Sequence, residues 1–228
     1  VLTHFSVGRL LALIKSLDYC SSTLVTVQIV PNFHLFGFAM QLISMFVVKT
    51  ILMKKFVPDL FLSIIEKYKV NILYTVPSIL QYLCKHPLVE KYDVSSLRDV
   101  VVGAAPVGAT LLNDAQNKFQ DLFVIELYGA TEIGISCCQT RKLYKPTSTG
   151  MLCPGLIAKV CDINLNKPLG PFEQGELCFK SKQIMKGYLR NDAATRDSFD
   201  EDGFYHTGDF GYYDNDKCFY ITDRIKEL

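Results

Sequence analysis

The feature that most limits the possible folds of this sequence is a regular alternation of short apolar segments with helical patterns. Five segments are short, apolar and rich in β-branched residues, as buried strands are: 24–30, 46–53, 70–76, 97–102 and 122–127. Apolar residues recur at helical spacing in segments 7–19, 35–45, 77–85 and 110–119, and in one that begins at Pro58. This alternation predicts an α/β fold with a parallel sheet covered by helices.

The pattern changes after about Thr140. Short strands are predicted at 157–163, 175–179, 205–207, 210–213 and 218–222, with one helix at 192–199 and turns at 166–168 and 214–216. Such a series is typical of an antiparallel β-rich subdomain, either a twisted sheet or a distorted barrel. We therefore predict an α/β subdomain at 1–139 and a β-rich subdomain at 140–228.

Composition and charge exclude several classes of protein. The chain has 228 residues, 24 Lys and Arg against 23 Asp and Glu, and 49% hydrophobic residues. A disordered chain would be less apolar, and a nucleic-acid-binding module would carry a clear positive excess. The eight cysteines are scattered and form no Cys-x-x-Cys pair. We expect reduced core thiols in an intracellular protein, and neither disulfides nor a zinc site.

A membrane-protein alternative rests on the uncharged stretch between Asp18 and Lys49. Its continuous apolar part is shorter than the roughly 20 residues that a spanning helix needs. We therefore expect buried α/β elements there and no membrane span. The chain starts without Met or a signal-peptide pattern and stops without a targeting tripeptide, so both ends are expected to be cut from a longer chain.

The segment Tyr128-Gly129-Ala130-Thr131-Glu132 directly follows a predicted buried strand. Ligands of open α/β sheets bind outside the carboxyl ends of the strands. Gly129 would let the backbone approach a ligand closely, Thr131 can hydrogen-bond a phosphate, and Glu132 can hold Mg²⁺. An ordinary polar β-turn explains the same residues equally well.

Two further strand ends carry possible binding residues. The small residues Gly103-Ala104-Ala105 follow the strand at 97–102 and could pass under a flat ring, although many α/β loops look alike. His34 lies in an otherwise apolar stretch after a strand. A histidine in this position is more often a core or cap residue, and the sharper alternative is a residue lining a pocket for a carboxylate substrate.

The β-rich part contributes a carboxylate and a cation. Asp209, beside Gly208, can accept two hydrogen bonds from a vicinal diol such as ribose, with an Asx-turn as the alternative. Arg224 is a possible phosphate or ribose clamp. A solvated charge run around Asp223, Arg224 and Lys226 is the plainer interpretation.

Together and in this order, these elements resemble the adenylate-forming enzymes, a family that includes acyl-CoA synthetases, 4-coumarate–CoA ligases and beetle luciferases. The matching segments are 29–37, 103–106, 128–132, 175–177, 187–195, 202–209 and 223–226. They extend over nearly the whole chain, which would then be a fragment of the family's large N-terminal domain. The resemblance implies that a carboxylate attacks ATP to give an acyl-adenylate, and that coenzyme A then displaces AMP.

The resemblance also implies roles for single residues. The nucleotide-binding residues would be Gly103, Ala104, Ala105, Tyr128, Gly129, Ala130, Thr131, Asp209 and Arg224. Tyr128 would stack on adenine, and Asp209, assisted by Arg224, would bind the ribose hydroxyls. The catalytic residues would be His34, beside the reacting carboxylate, Thr131, at the α-phosphate, and Glu132, the Mg²⁺ ligand. Asp223 and Lys226 would belong to an interdomain hinge.

Departures from the family pattern leave alternatives open. The family's phosphate loop would precede Val1 and its lysine-bearing domain would follow Leu228, so a non-catalytic nucleotide-binding fragment is one alternative. A luciferase is another, although Ile135 is apolar where beetle luciferases carry a hydroxyl residue. We favour a fatty or aryl acid as the substrate, with ATP, Mg²⁺ and coenzyme A, in the peroxisome or cytoplasm.

Overall fold

A computed structural model describes residues 1–16, 23–44, 49–165 and 167–227. The chain divides into two compact units, each described here by itself. One is Ile14–Glu126, and the other combines Val1–Leu13 with Leu127–Leu228. The second division point precedes the expected boundary at 139/140, because residues 127–130 pair with a strand that follows them, at 134–138.

The unit Ile14–Glu126 is a helix-covered α/β layer. Its elements are α1 (His4–Ser16, of which the last residues belong here), β1 (Val25–Gln28), α2 (Leu35–Ile43), β2 (Lys49–Leu52), α3 (Pro58–Tyr68), β3 (Ile72–Thr75), α4 (Pro77–Lys85), a 3-10 turn (Pro87–Lys91), β4 (Asp99–Val102), α5 (Ala109–Lys118) and β5 (Phe123–Ala130, up to Glu126). β1 pairs with β2, and β3, β4 and β5 pair in that order, all in parallel. The predicted parallel sheet is confirmed.

Helices pack their apolar faces on these strands. Phe61 and Leu62 of α3 and Leu80 of α4 are fully buried in one core with Val100 of β4. Burial of such side chains stabilises the fold by about 1.5–3 kcal/mol each. Helices α3 and α4 both begin at a proline, whose fixed φ and missing N–H suit the first helical position.

The other unit is built on an antiparallel sheet. Its further elements are β6 (Gly134–Cys138), a 3-10 turn (Arg141–Leu143), β7 (Gly150–Leu152), β8 (Ile157–Cys161), β9 (Gly175–Lys180), α6 (Asp192–Asp197), β10 (Tyr205–Tyr213), β11 (Cys218–Arg224) and a final 3-10 turn (Ile225–Glu227). The strand order is β5-β6-β7-β11-β10-β9-β8, and every pairing is antiparallel. The antiparallel, β-rich character predicted for this part of the chain is confirmed.

Several strands differ from the sequence-based expectation. The two short strands expected at 205–207 and 210–213 are one strand, because the chain continues through a register shift around Gly208, whose φ is +72°. Strands β6 and β7 were not predicted. The expected ends at 17–19 and 45, the strand start at 46–48, and the turn residue Asn166 lie outside the described residues.

Two other features bear on the expectations from composition. Among the helices that the structure describes, none combines the length and the apolar character needed to cross a bilayer. Seven cysteines are free thiols, namely Cys84, Cys137, Cys138, Cys153, Cys161, Cys178 and Cys218. Cys20 lies outside the described residues.

Candidate functional site

Asp209 lies at the centre of the candidate site and contacts two of the residues that the sequence predicts with it. The Tyr128 hydroxyl donates a hydrogen bond to Asp209 Oδ2 at 2.6 Å. Arg224 Nε lies 3.0 Å from Oδ1 of the same carboxylate, and the two residues are direct partners across β10 and β11. The structure therefore brings together Tyr128, Asp209 and Arg224, which are far apart in the sequence.

The Asp209 carboxylate is buried, and its two partners, Tyr128 and Arg224, differ in their exposure to solvent. Asp209 is only 5% exposed, whereas the Arg224 side chain is 64% exposed. Burial, and then the charge of Asp209, raise the pKa of the Tyr128 phenol well above its ordinary value. Tyr128 is therefore a neutral hydrogen-bond donor at physiological pH, and its ring packs 5.9 Å from that of Phe179. Arg224 supplies a cation open to solvent.

The segment Tyr128–Glu132 is part of a β-hairpin. Tyr128, Gly129 and Ala130 belong to β5, which extends beyond the predicted end at 127, and Thr131 and Glu132 lie in the turn to β6. A Cβ atom on Gly129 would collide with the Gly134 carbonyl oxygen. The close backbone approach that requires glycine here is thus made within the hairpin, which differs from the ligand approach suggested by the sequence.

Glu132 is half-buried, and its carboxylate accepts a hydrogen bond from Tyr188, which in turn contacts Tyr205; sequence reasoning assigned neither tyrosine a role. The Tyr188 hydroxyl donates to Glu132 Oε1 at 3.1 Å and lies 3.2 Å from the Tyr205 hydroxyl. Burial raises the pKa of Tyr205, and the charges of Glu132 and Asp209 also contribute. Both carboxylates thus favour the neutral form of the Tyr205 phenol. The only sequence signal was the presence of both tyrosines in the family-like segments.

Glu132 and Thr131 have donor atoms of the kind that Mg²⁺ prefers. Mg²⁺ binds hard oxygen ligands, usually one or two carboxylates together with substrate phosphates. Glu132 offers one carboxylate, and the neighbouring residue in the sequence, Thr131, is exposed and carries a hydroxyl. The residues present therefore fit a Mg²⁺ ion that is shared with a bound phosphate.

The loop after β4 belongs to the unit Ile14–Glu126. Gly103 is buried and donates its N–H to the Thr75 carbonyl at 3.1 Å. Ala104 and Ala105 are exposed, and Ala104 has a φ of +69°. A positive φ is costly for a residue with a Cβ atom and is often found at functional sites. This loop follows a strand end as the sequence predicts, and its role at an adenine ring stays a prediction.

Glu126 is a buried carboxyl group that sequence reasoning missed. It is 4% exposed, and its Oε2 accepts the Val107 N–H at 3.1 Å. Burial raises its pKa to about 7. The signal was a single acidic residue within a strand of otherwise apolar residues.

His34 is an exposed helix cap in the structure. Its Nδ1 accepts the Phe36 N–H at 3.1 Å at the start of α2. A Cβ atom on Gly37 would collide with the Pro31 carbonyl oxygen, so this turn needs a glycine. The cap interpretation is confirmed, and the position beside a reacting carboxylate stays a prediction. His34 and Gly103–Ala105 belong to one unit, and Tyr128–Glu132, Asp209 and Arg224 to the other.

The predicted hinge residues lie at the end of β11. Asp223 Oδ1 accepts the Arg224 N–H at 2.8 Å. Lys226 is exposed in the 3-10 turn Ile225–Glu227. Asp223 directly precedes Arg224 and Lys226 follows it by two residues, and their role in a hinge stays a prediction.

Comparison with known proteins identifies relatives that match most of the chain. Residues 1–189 match the family model described as AMP-binding enzyme. The chain is 40% identical over 206 residues to the probable 4-coumarate–CoA ligase 3 of Dictyostelium discoideum, covering 89% of this chain and 37% of that protein. It is 38% identical over 209 residues to luciferin 4-monooxygenase of Photuris pensylvanica, covering 90% of this chain and 38% of that protein.

The fold has a close counterpart among solved structures. The ATP-bound MatB of Rhodopseudomonas palustris matches with a TM-score of 0.91 and 26% sequence identity, over 100% of this chain and 45% of that one. The chain therefore spans less than half the length of each of these three relatives.

Proposed function

This chain belongs to the AMP-binding enzyme family, and from that membership we propose that the full-length protein activates a carboxylic acid with ATP. A carboxylate oxygen attacks the α-phosphorus of ATP, the bond to the pyrophosphate oxygen breaks, and an acyl-adenylate forms. The thiol of coenzyme A then attacks the acyl carbonyl carbon and displaces AMP. Likeness to a probable 4-coumarate–CoA ligase supports this acid–thiol ligase assignment over a non-catalytic nucleotide-binding module.

The observation that carries the proposal is the contact of Asp209 with Tyr128 and Arg224. A carboxylate oxygen has two lone pairs, so each Asp209 oxygen can accept a ribose hydroxyl in addition to its present partner. An aromatic ring and a solvent-exposed guanidinium beside such an acceptor suit a nucleoside monophosphate. The arrangement therefore supports binding of the AMP part of the adenylate.

Thr131 and Glu132 would act at the phosphates. Displacement at phosphorus depends mainly on positioning and on stabilising developed charge. When bound at Glu132, Mg²⁺ would supply charge neutralisation at the phosphate oxygens. The exposed Thr131 hydroxyl can donate a hydrogen bond to the α-phosphate, and Tyr188 holds the Glu132 carboxylate in place. His34 would lie by the reacting carboxylate, and Gly103–Ala105 would line the adenine.

The acyl substrate is proposed to be a fatty or aryl acid. Ile135, the cross-strand partner of Gly129, presents an apolar side chain. An apolar side chain favours an apolar acyl group over a polar one. The likeness to luciferin 4-monooxygenase gives light emission as the second candidate activity. We propose that the full-length protein is located in the peroxisome or the cytoplasm. Imaging of the full-length protein tests this.

Acid-dependent pyrophosphate release from ATP by the full-length protein tests this function. We expect release with some members of a panel of fatty and aryl acids, and acyl-CoA formation when coenzyme A is added. Glu132→Gln should reduce the rate, whereas the exposed Glu201→Gln serves as the matched control. No release with any acid from the folded protein would refute ligase activity, and strong light emission with luciferin would favour the second candidate.

A further inference from the structure

A histidine, a cysteine and a glutamate meet on β9 and β10. His206 and Cys178 are direct cross-strand partners, and Glu176 precedes Cys178 by two residues on the same face of β9. His206 Nδ1 lies 2.7 Å from Glu176 Oε2 and 3.5 Å from Cys178 Sγ. All three donor atoms lie within 4.8 Å of one another. None of these contacts has a role in the proposed adenylation.

We propose that Glu176, Cys178 and His206 bind a divalent cation of the zinc class, through Oε2, Sγ and Nδ1. These are the three side-chain types that zinc prefers, and two anionic ligands would balance the charge of the ion. The site is distinct in the sequence from the Mg²⁺ ligand proposed at Glu132. Such a site has no Cys-x-x-Cys signature, so the spacing of the cysteines did not predict it.

The distances require little rearrangement. Zinc–ligand bonds of about 2.0–2.3 Å place tetrahedral ligand atoms roughly 3.3–3.6 Å apart. The 3.5 Å between Cys178 Sγ and His206 Nδ1 already has this value. The 2.7 Å between His206 Nδ1 and Glu176 Oε2 must open by several tenths of an ångström, a change that rotation of a partly exposed carboxylate can provide.

The second nitrogen of His206 faces the partner that a metal-bound histidine usually has. Such histidines donate their other ring N–H to a carboxylate, which orients the ring. His206 Nε2 lies 3.7 Å from Asp200 Oδ2, and the Asp200 side chain is 6% exposed and forms an ion pair with Lys159 at 2.6 Å. The Lys159 ammonium is thus already neutralised by Asp200 and also lies 4.5 Å from the Phe204 ring centre.

Access and protonation are compatible with reversible binding. Cys178 is fully buried, but the side chains of Glu176 and His206 are 15% and 23% exposed, so an ion can enter from their side. Burial, and then the charge of Glu176, raise the pKa of the Cys178 thiol. Binding must therefore release the thiol proton, and the affinity for zinc should fall as the pH is lowered.

The site would also steady the strand that carries Asp209. Glu176 Oε1 accepts the Gly208 N–H at 2.8 Å, at the register shift in β10 directly before Asp209. A cation on the other oxygen, Oε2, would fix this carboxylate and with it the bulge. The proposed role is structural, so zinc should raise the melting temperature without being required for adenylation.

Metal titration of the full-length protein, after chelator treatment, tests the proposal. Zn²⁺ alone should bind at one equivalent and raise the Tm, and Co²⁺ alone should give a thiolate-to-metal charge-transfer band. Cys178→Ser should abolish the band and lower the affinity at least tenfold. Cys84→Ser, at a half-buried cysteine outside the cluster, should leave both unchanged.

A second variant keeps the test decisive if Cys178→Ser does not fold. His206→Gln should also abolish the band while circular dichroism reports a folded protein. No charge-transfer band in the wild-type protein would overturn the proposal, as would a band that survives in folded Cys178→Ser or His206→Gln. Acid-dependent pyrophosphate release from the same preparations is an independent readout of the proposed adenylation.

Discussion

Asp209 and Arg224 face each other across β10 and β11, with Arg224 Nε 3.0 Å from Asp209 Oδ1. Because the two strands fix both backbones, this contact does not depend on a flexible loop. The carboxylate is buried while the guanidinium is largely exposed. An ion pair with one exposed member contributes little to stability, so we regard its value as positioning of the carboxylate for a ligand.

The first prediction concerns nucleotide affinity. Asp209→Ala in the full-length protein should weaken AMP binding by about 2–3 kcal/mol, because charge-assisted hydrogen bonds to the ribose are lost. Calorimetric titration with AMP measures the change. Asp197→Ala, at an exposed position in α6, is the matched control and should leave the affinity unchanged. Equal affinities of wild-type and Asp209→Ala would remove Asp209 from the nucleotide site.

The second prediction separates the Tyr128 ring from its hydroxyl. Tyr128→Phe keeps the ring but removes a 2.6 Å hydrogen bond to a buried carboxylate. We expect a loss of about 1.5–3 kcal/mol in the free energy of unfolding, since hydrogen bonds to charged groups have this value. Urea denaturation measures it.

The control for Tyr128→Phe is Tyr212→Phe. Among the described residues the Tyr212 hydroxyl has no hydrogen-bond partner, and its ring stacks on that of Tyr220 at 4.7 Å. Its substitution should change stability by less than about 0.5 kcal/mol. Similar losses from both variants would mean that the contact between Tyr128 and Asp209 contributes nothing specific.

The third prediction compares a glycine that has no room for a Cβ atom with one that has open space for it. Gly150 has a φ of +87°, and a Cβ atom there would collide with the Cys138 backbone. Gly150→Ala should therefore lower stability by more than about 1 kcal/mol. Gly8 lies in α1 with open space around it, so Gly8→Ala should raise stability by up to about 1 kcal/mol. Thermal unfolding of the two variants should shift in opposite directions, and a shared direction would contradict this account.

Local sequence signals were sufficient to predict where a helix begins when a single residue determines the backbone conformation there. Helices α3 and α4 begin at the predicted residues because Pro58 and Pro77 are suited to the first helical position. The parallel sheet was also predictable, because strands and helices each have their own periodicity of apolar residues and the two alternate along the chain. Tyr128, Asp209 and Arg224 were singled out by their chemistry and by the family-like segments around them.

The rest depends on contacts between distant residues. The Tyr188 hydroxyl reaches Glu132 across 56 positions of sequence, and no periodicity reports such a pair. Strand β6, Gly134–Cys138, was missed because it starts with a glycine and holds few of the residues that favour strands; its pairing with β5 stabilises it. Likewise the cluster around His206 exists only when β9 and β10 are paired.

The fourth prediction concerns the pH dependence of stability caused by Glu126. Burial raises its pKa from 4.5 to about 7, so the folded protein binds one more proton than the unfolded chain between these values. Stability conferred by the neutral carboxyl is therefore complete below about pH 4.5 and is lost as the pH rises through about 7. The difference between the two pKa values corresponds to about 3 kcal/mol in the free energy of unfolding.

Glu126→Gln keeps the shape of the side chain and cannot ionise, so it isolates this effect. Relative to wild type, the variant should gain stability from about pH 4.5 to about pH 7 and then level off, as measured by urea denaturation at a series of pH values. The exposed Glu201→Gln should run parallel to wild type over the same range. If the Glu126→Gln curve also runs parallel, the buried carboxyl does not titrate in this window, and burial is not what determines its pKa.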